Sequence, residues 1–167
     1  VSTGEFLQGL DGPQFASTDA VALIRTLNGD GADEDGSANS QQTSARWMDA
    51  RDPASPAGLG LPACGLPAPA RRSGAEMVLL ADRIVLVSER GGESINIDPE
   101  ANPAQIADAL QALARALAWR QPASLRQLEV RRINGASARN WPHLHMLERY
   151  FTVARDHRGL VLTVAAE

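Results

Sequence analysis

Residues Glu76–Ala118 read EMVLLADRIVLVSERGGESINIDPEANPAQIADALQALARALA. Two apolar runs, Glu76 to Ala81 and Ile84 to Glu89, flank Asp82-Arg83, which predicts two strands and a tight hairpin. Arg90 to Glu93 holds a glycine pair, Gly91-Gly92, and so a second turn. Ser94 to Ile97 is then a third strand, closed by Asp98-Pro99. Asn102-Pro103 reads as a helix start. Asparagine caps the first turn through its side chain, and proline has no N–H to leave unsatisfied there. Ile106, Leu110, Leu113, Ala114 and Leu117 fall on one helical face, and Gln121-Pro122 ends it.

The same reading extends toward the C-terminus. Leu125 to Ile133 is a strand of mixed alternation, closed by Asn134-Gly135. Asn140 reads as the cap of a second helix, with Pro142 in its first turn and Leu144, Leu147, Phe151 and Ala154 as its buried stripe. Arg158-Gly159 turns the chain, and Leu160, Leu162 and Val164 alternate as a last strand. The expected module over residues 76–167 is therefore β-β-β-α-β-α-β, of α/β (α+β) class. It has no internal repeat.

Toward the N-terminus the pattern weakens. WMDARDPASPAGLGLP, Trp47 to Pro62, places three prolines within Pro53–Pro62. Proline fixes φ and glycine permits unusual φ, so Pro53 to Gly74 is expected to be mostly non-regular, mainly a connector. Gly29 to Ser44 is acidic, small and polar, and reads as a loop. Thr18 caps a short helix with Val21, Leu23, Ile24 and Leu27 on one face, stopped by Asn28-Gly29. Val1 to Phe15 reads as an irregular or strand-like start. The first half reads as the tail of something larger, giving segments 1–28, 29–75 and 76–167.

At 44% hydrophobic the chain can bury a core, and at 4% aromatic that core rests on aliphatic side chains. There is no lysine, so all sixteen basic residues are arginine. The formal charge of −4 hides an asymmetry. Residues 1–60 carry nine acids and three arginines, a formal −6, whereas 120–158 carry eight arginines and three acids, a formal +5. The pI of about 5.4 argues against a generic nucleic-acid-coating protein and leaves a local basic face open. Cys64 is the lone cysteine, so an internal disulfide and a multi-cysteine zinc site are excluded, which fits a reducing cytoplasm. No signal peptide and no apolar run of membrane-spanning length are read, so the expectation is a soluble protein without a membrane partner.

Several residues are candidates for chemistry. Asp30, Asp33 and Asp35 cluster, but the spacing of a calcium loop with its final bidentate glutamate is missing. His143 and His145 form H-x-H, which on a strand could share a metal; the start at Pro142 favours a helix, where the two rings point apart, and no metal or cofactor is expected. His157 sits in a turn. Cys64 has no cationic neighbour in sequence to favour a thiolate. There is no G-x-S-x-G, and without lysine no Walker A phosphate loop. Asp49 and Asp52 lie near Trp47, where an acid could in principle stabilise a cationic transition state; the favoured reading is that each caps or brackets its own turn before Pro53. Arg131, Arg132, Arg139, Arg149, Arg155 and Arg158 make up most of the basic bias, either a phosphate-contacting face or a solvated one.

EFLQGLDGPQFASTDAVALIRTL (Glu5–Leu27), DARDPASPAGLGLP (Asp49–Pro62), SGAEMVLLADRIVLVSERGG (Ser73–Gly92), LEVRRINGASA (Leu128–Ala138) and HRGLVLTVA (His157–Ala165) together resemble, in order, the C-terminal region of the large helicase-related (Lhr) proteins. Two departures stand out: Asn140-Trp141-Pro142-His143-Leu144 replaces a small Ser-Pro-Leu-Ala segment, and Ala57 replaces a tyrosine. The resemblance implies a parent that is a large ATP-dependent 3′-to-5′ DNA helicase of bacterial cytoplasm, acting in DNA repair. Its ATP and magnesium sites would lie upstream. Residues 1–28 would end a winged-helix module, and DPASPAGLGLP would connect it to the terminal module. The start at Val1, without methionine, fits this expectation.

Two functions follow from the resemblance. One is a non-catalytic accessory module that binds DNA or drives self-association, with the six arginines as DNA contacts and the upstream winged-helix and helicase domains as neighbours. The other is a DNA-repair enzyme domain of base-excision glycosylase type, with Asp52 as its first candidate acid.

Overall fold

The computed structural model describes residues 2–4, 14–16, 44–60, 64–120 and 126–164. The helix read at Thr18–Leu27 and the Asp30, Asp33 and Asp35 cluster lie outside the described residues. The chain divides into two compact units, Val1–Gln41 and Gln42–Glu167. Within the first, β1 (Ser2–Gly4) and β2 (Gln14–Ala16) pair antiparallel, with Thr3 opposite Phe15.

The second unit is mixed α+β. Its larger sheet contains β3 (Arg46–Asp49), β4 (Cys64–Gly65), β5 (Glu76–Leu80), β6 (Arg83–Glu89), β7 (Ser94–Ile97), β9 (Arg132–Ile133) and β10 (Ala136–Ser137). The hydrogen-bonded order is β10-β9-β7-β6-β5-β3, with β4 beside the start of β6. The smaller sheet contains β8 (Gln127–Val130), β11 (Thr152–Arg155) and β12 (Leu160–Thr163) in the order β11-β12-β8. Between the sheets in sequence lie α1 (Pro103–Ala118) and the short α2 (Leu144–Glu148).

The central hairpin forms where expected, one residue earlier at its tip. Leu80 pairs Arg83, so the two-residue turn is Ala81-Asp82, with Ala81 at φ 54°. A bulge at Val85 turns its carbonyl to the Asp98 N–H at 2.9 Å, closing the end of β7. The bulge sends Val85 and Leu86 to the α1 side, and Ile84 and Val87 to the opposite side.

The helix face is also as read. Leu110, Leu113, Ala114 and Leu117 are buried, and Ile106 packs partly buried beside them. They meet Val78, Leu86, Ile95 and Ile97 of the larger sheet and Leu128, Val130, Leu160 and Leu162 of the smaller one. Each fully buried leucine is worth about 1.5–3 kcal/mol. The helix starts on a capping box: Asn102 Oδ1 accepts the Gln105 N–H and Gln105 Oε1 accepts the Asn102 N–H, both at 2.9 Å.

The proline-rich stretch is more than a connector. Arg46–Asp49 pairs antiparallel with β5 as an edge strand, Asp49 opposite Glu76. Trp47 packs on the α1 face and Met48 on the other, the alternation of a strand. The irregular chain after it covers that other face. Ala50, Ala57, Leu66 and Ala68 pack on Met77, Ile84 and Val87, and Arg71 ties the strap by donating to the carbonyls of Ser55 (2.9 Å) and Ala57 (3.3 Å). The covered face is apolar because both faces of β5 and β6 are buried, and small and proline residues let an irregular chain lie close.

The helix read from Asn140 is the main departure. Ala138–Asn140 is a 3₁₀ turn, His143 is the N-cap position of α2, and α2 ends at Glu148. Thr152–Arg155 is strand β11, paired with β12 from Thr152↔Thr163 to Arg155↔Leu160. Leu147 and Phe151 are buried as expected, but Ala154 is exposed. The β-branched pair Thr152-Val153 gains a sheet partner that a helical continuation would forgo.

Candidate nucleic-acid interface

At the end of β6 the chain turns through Arg90–Gly92 with all three residues at positive φ (57°, 68° and 103°). Gly92 is required there, since a Cβ would lie 2.5 Å from Leu128 Cδ2. The turn delivers Glu93, whose carbonyl accepts the N–H groups of Arg131 (2.9 Å) and Arg132 (3.1 Å). The ERGG turn and the Arg131-Arg132 pair are thereby locked together, 40 residues apart in sequence.

A cleft of about 210 Å³ opens at this junction, lined by Arg72, Glu89, Arg90, Glu93, Ser94, Arg131 and Arg132. Four arginines against two glutamates leave a formal +2. Arg72 Nη2 pairs with Glu89 Oε1 at 2.5 Å and Arg131 Nη2 with Glu93 Oε1 at 3.3 Å. Arg90 and Arg132 have no carboxylate within 4.0 Å among the described residues. The two ion pairs are partly exposed, so each is worth about 0–1 kcal/mol and can be exchanged for another anion at little cost. Arg131 Nε is buried without a hydrogen-bond partner among the described residues. The exposed guanidinium forks of Arg90 and Arg132 suit phosphate oxygens.

The six arginines expected at a DNA face divide. Arg131 and Arg132 line the cleft. Arg158 lies beside Arg131 at a shallow groove with Glu129 and Asp156. Its Nε donates to His157 Nε2 at 3.0 Å, while His157 Nδ1 lies 2.5 Å from Asp156 Oδ1. The His157 hydrogen bond holds the Asp156 carboxyl below its ordinary value. Arg139, in the 3₁₀ turn, and Arg155, ending β11, are exposed and line neither cleft. Arg149 is exposed too, with its guanidinium carbon 5.6 Å from the Tyr150 ring centroid. Arg72 and Arg90, not singled out in the sequence, complete the cleft. Their only sequence signals were the Arg71-Arg72 pair and the charged flanks of Gly91-Gly92.

The other candidates take structural places. Asp52 is exposed in a turn, where its carboxylate accepts the Ala54 N–H at 2.8 Å and its carbonyl the Ser55 N–H at 2.9 Å. Asp49 accepts Arg51, mainly through the side-chain hydrogen bond, and its carboxyl is lowered accordingly. Trp47 donates to Glu76 Oε2 at 3.2 Å, and Arg120 bridges Oε1 of the same carboxylate. Cys64 is exposed in β4 opposite Arg83. His143 and His145 stack edge to face, centroids 6.2 Å apart, beside Trp141. Among the described residues no three His, Cys, Asp or Glu side chains gather as metal ligands, and no helix is long and apolar enough to cross a membrane.

No protein-family model and no curated protein matches the chain.

Proposed function

We propose that the chain is a non-catalytic C-terminal accessory module of a large ATP-dependent 3′-to-5′ DNA helicase of the Lhr type, serving DNA repair in a bacterial cytoplasm by holding DNA. The observation that carries this reading is the cleft of Arg72, Arg90, Arg131 and Arg132. Three of the segments that resemble the helicase family meet around it. Ser73–Gly92 supplies the 3₁₀ turn, Leu128–Ala138 supplies the arginine pair, and His157–Ala165 brings Gly159 against Val130 and Arg131. Nucleotide hydrolysis, with its ATP and magnesium, belongs in this reading to the motor domains of the parent, and this module adds phosphate contacts.

The test is equilibrium binding of the chain to DNA across a range of salt concentrations. Phosphate contacts release counterions, so log affinity should fall linearly with log salt, by about 0.9 per contact on duplex and 0.7 on single strands. Absence of binding at low salt, together with a concentration-dependent oligomer, would move the module's role to self-association.

A further inference from the structure

Trp119 is 85% exposed, although its backbone is fixed as the C-cap of α1 by an N–H bond to the Arg115 carbonyl. Among the described residues the other exposed large apolar side chain is Leu59, in the strap on the opposite sheet face. Among the described residues Trp119 is therefore no part of a contiguous apolar patch of the kind that marks a protein-docking surface. Two arginines lie near its position in the chain. Arg120 bridges Glu76, and its carbonyl accepts Arg126 Nε at 3.2 Å.

Strand β8 lies between Arg126, which is hydrogen-bonded to the residue after Trp119, and Arg131 in the arginine cleft. Arg126 precedes the strand and Arg131 follows it, five residues at about 3.3 Å each, or roughly 16 Å. We infer that Trp119 is a base-stacking platform and that, with the arginine cleft at the far end of β8, it forms a track for single-stranded nucleic acid. The chemistry favours unpaired over paired bases. A duplex buries its base faces against one another, whereas an unpaired base presents a π-face to an exposed indole. The inference rests on the DNA-binding reading above and adds the strand state that the site selects.

The test compares the chain with Trp119→Ala on an oligothymidine strand and on a duplex of equal length, both at several salt concentrations. Loss of one stacked base predicts single-strand affinity about five- to hundredfold weaker, with duplex affinity and both salt slopes unchanged. Tryptophan emission should be quenched by the single strand in the parent chain and not in Trp119→Ala. Because the side chain is exposed, folding should survive, which circular dichroism checks. Unchanged single-strand affinity overturns the inference while leaving the DNA-binding reading intact. A change of oligomeric state in Trp119→Ala overturns it in favour of a protein interface. No binding of either probe by the parent chain removes the DNA-binding reading and this inference with it.

Discussion

Gly159 lies so close to β8 that a Cβ would strike the Val130 carbonyl oxygen and sit 3.0 Å from Arg131 Cα. Backbone cannot swing aside as a side-chain tip can. Gly159→Ala should therefore cost about 1–3 kcal/mol, read as a lower urea midpoint at unchanged slope. It should also disturb Arg131, because the displaced strand carries that residue. Asp98 offers a pH test at the same scale. It is buried, and the Arg83 guanidinium at 2.5 Å holds its carboxyl below its ordinary 3.8, aided by the Glu100 N–H and opposed by burial. A depressed folded value means stability that is complete above the ordinary range and lost as pH falls through the lowered one. Between about pH 5 and 2 the parent chain should lose stability more steeply than Asp98→Asn, measured by urea unfolding at each pH. Parallel curves would show that Asp98 does not carry this linkage.

Local signals are what the elements made legible. Asn102, Pro103 and Gln105 act within one turn, so the start of α1 is written in four residues, and Asn102→Ala should cost about 1 kcal/mol of unfolding free energy. Asn134-Gly135 likewise occupies the two positive-φ positions of its hairpin, at 50° and 77°. Where a segment's state depends on a distant partner, the sequence misleads. Leu144, Leu147, Phe151 and Ala154 fit a helical period, yet Thr152–Arg155 becomes a strand because β12 offers it an edge. Arg46–Asp49 sits beside a proline-rich run and reads as part of it, yet pairs with β5. The candidate site follows the same rule. Arg131-Arg132 was visible as a pair, but Glu93, Arg90 and Arg72 reach it only through the sheet.

At the scale of the molecule, a net charge of −4 and a basic cleft are compatible because phosphate is bound by local geometry. The larger sheet is covered by α1 and the smaller sheet on one side and by the irregular strap on the other, which leaves its end to hold the arginines. The central claim is that position in this cleft, and not arginine count, carries DNA binding. The most direct measurement is the salt dependence of DNA affinity for two double variants, Arg90→Ala with Arg132→Ala, and Arg139→Ala with Arg149→Ala. Both remove two exposed charges of one sign, so a generic electrostatic effect would weaken them equally. The account predicts that the cleft variant loses affinity for every DNA sequence and that its log–log slope falls by about 2, while the other keeps the parent slope. Equal losses in the two variants, or no loss in the cleft variant, would contradict it.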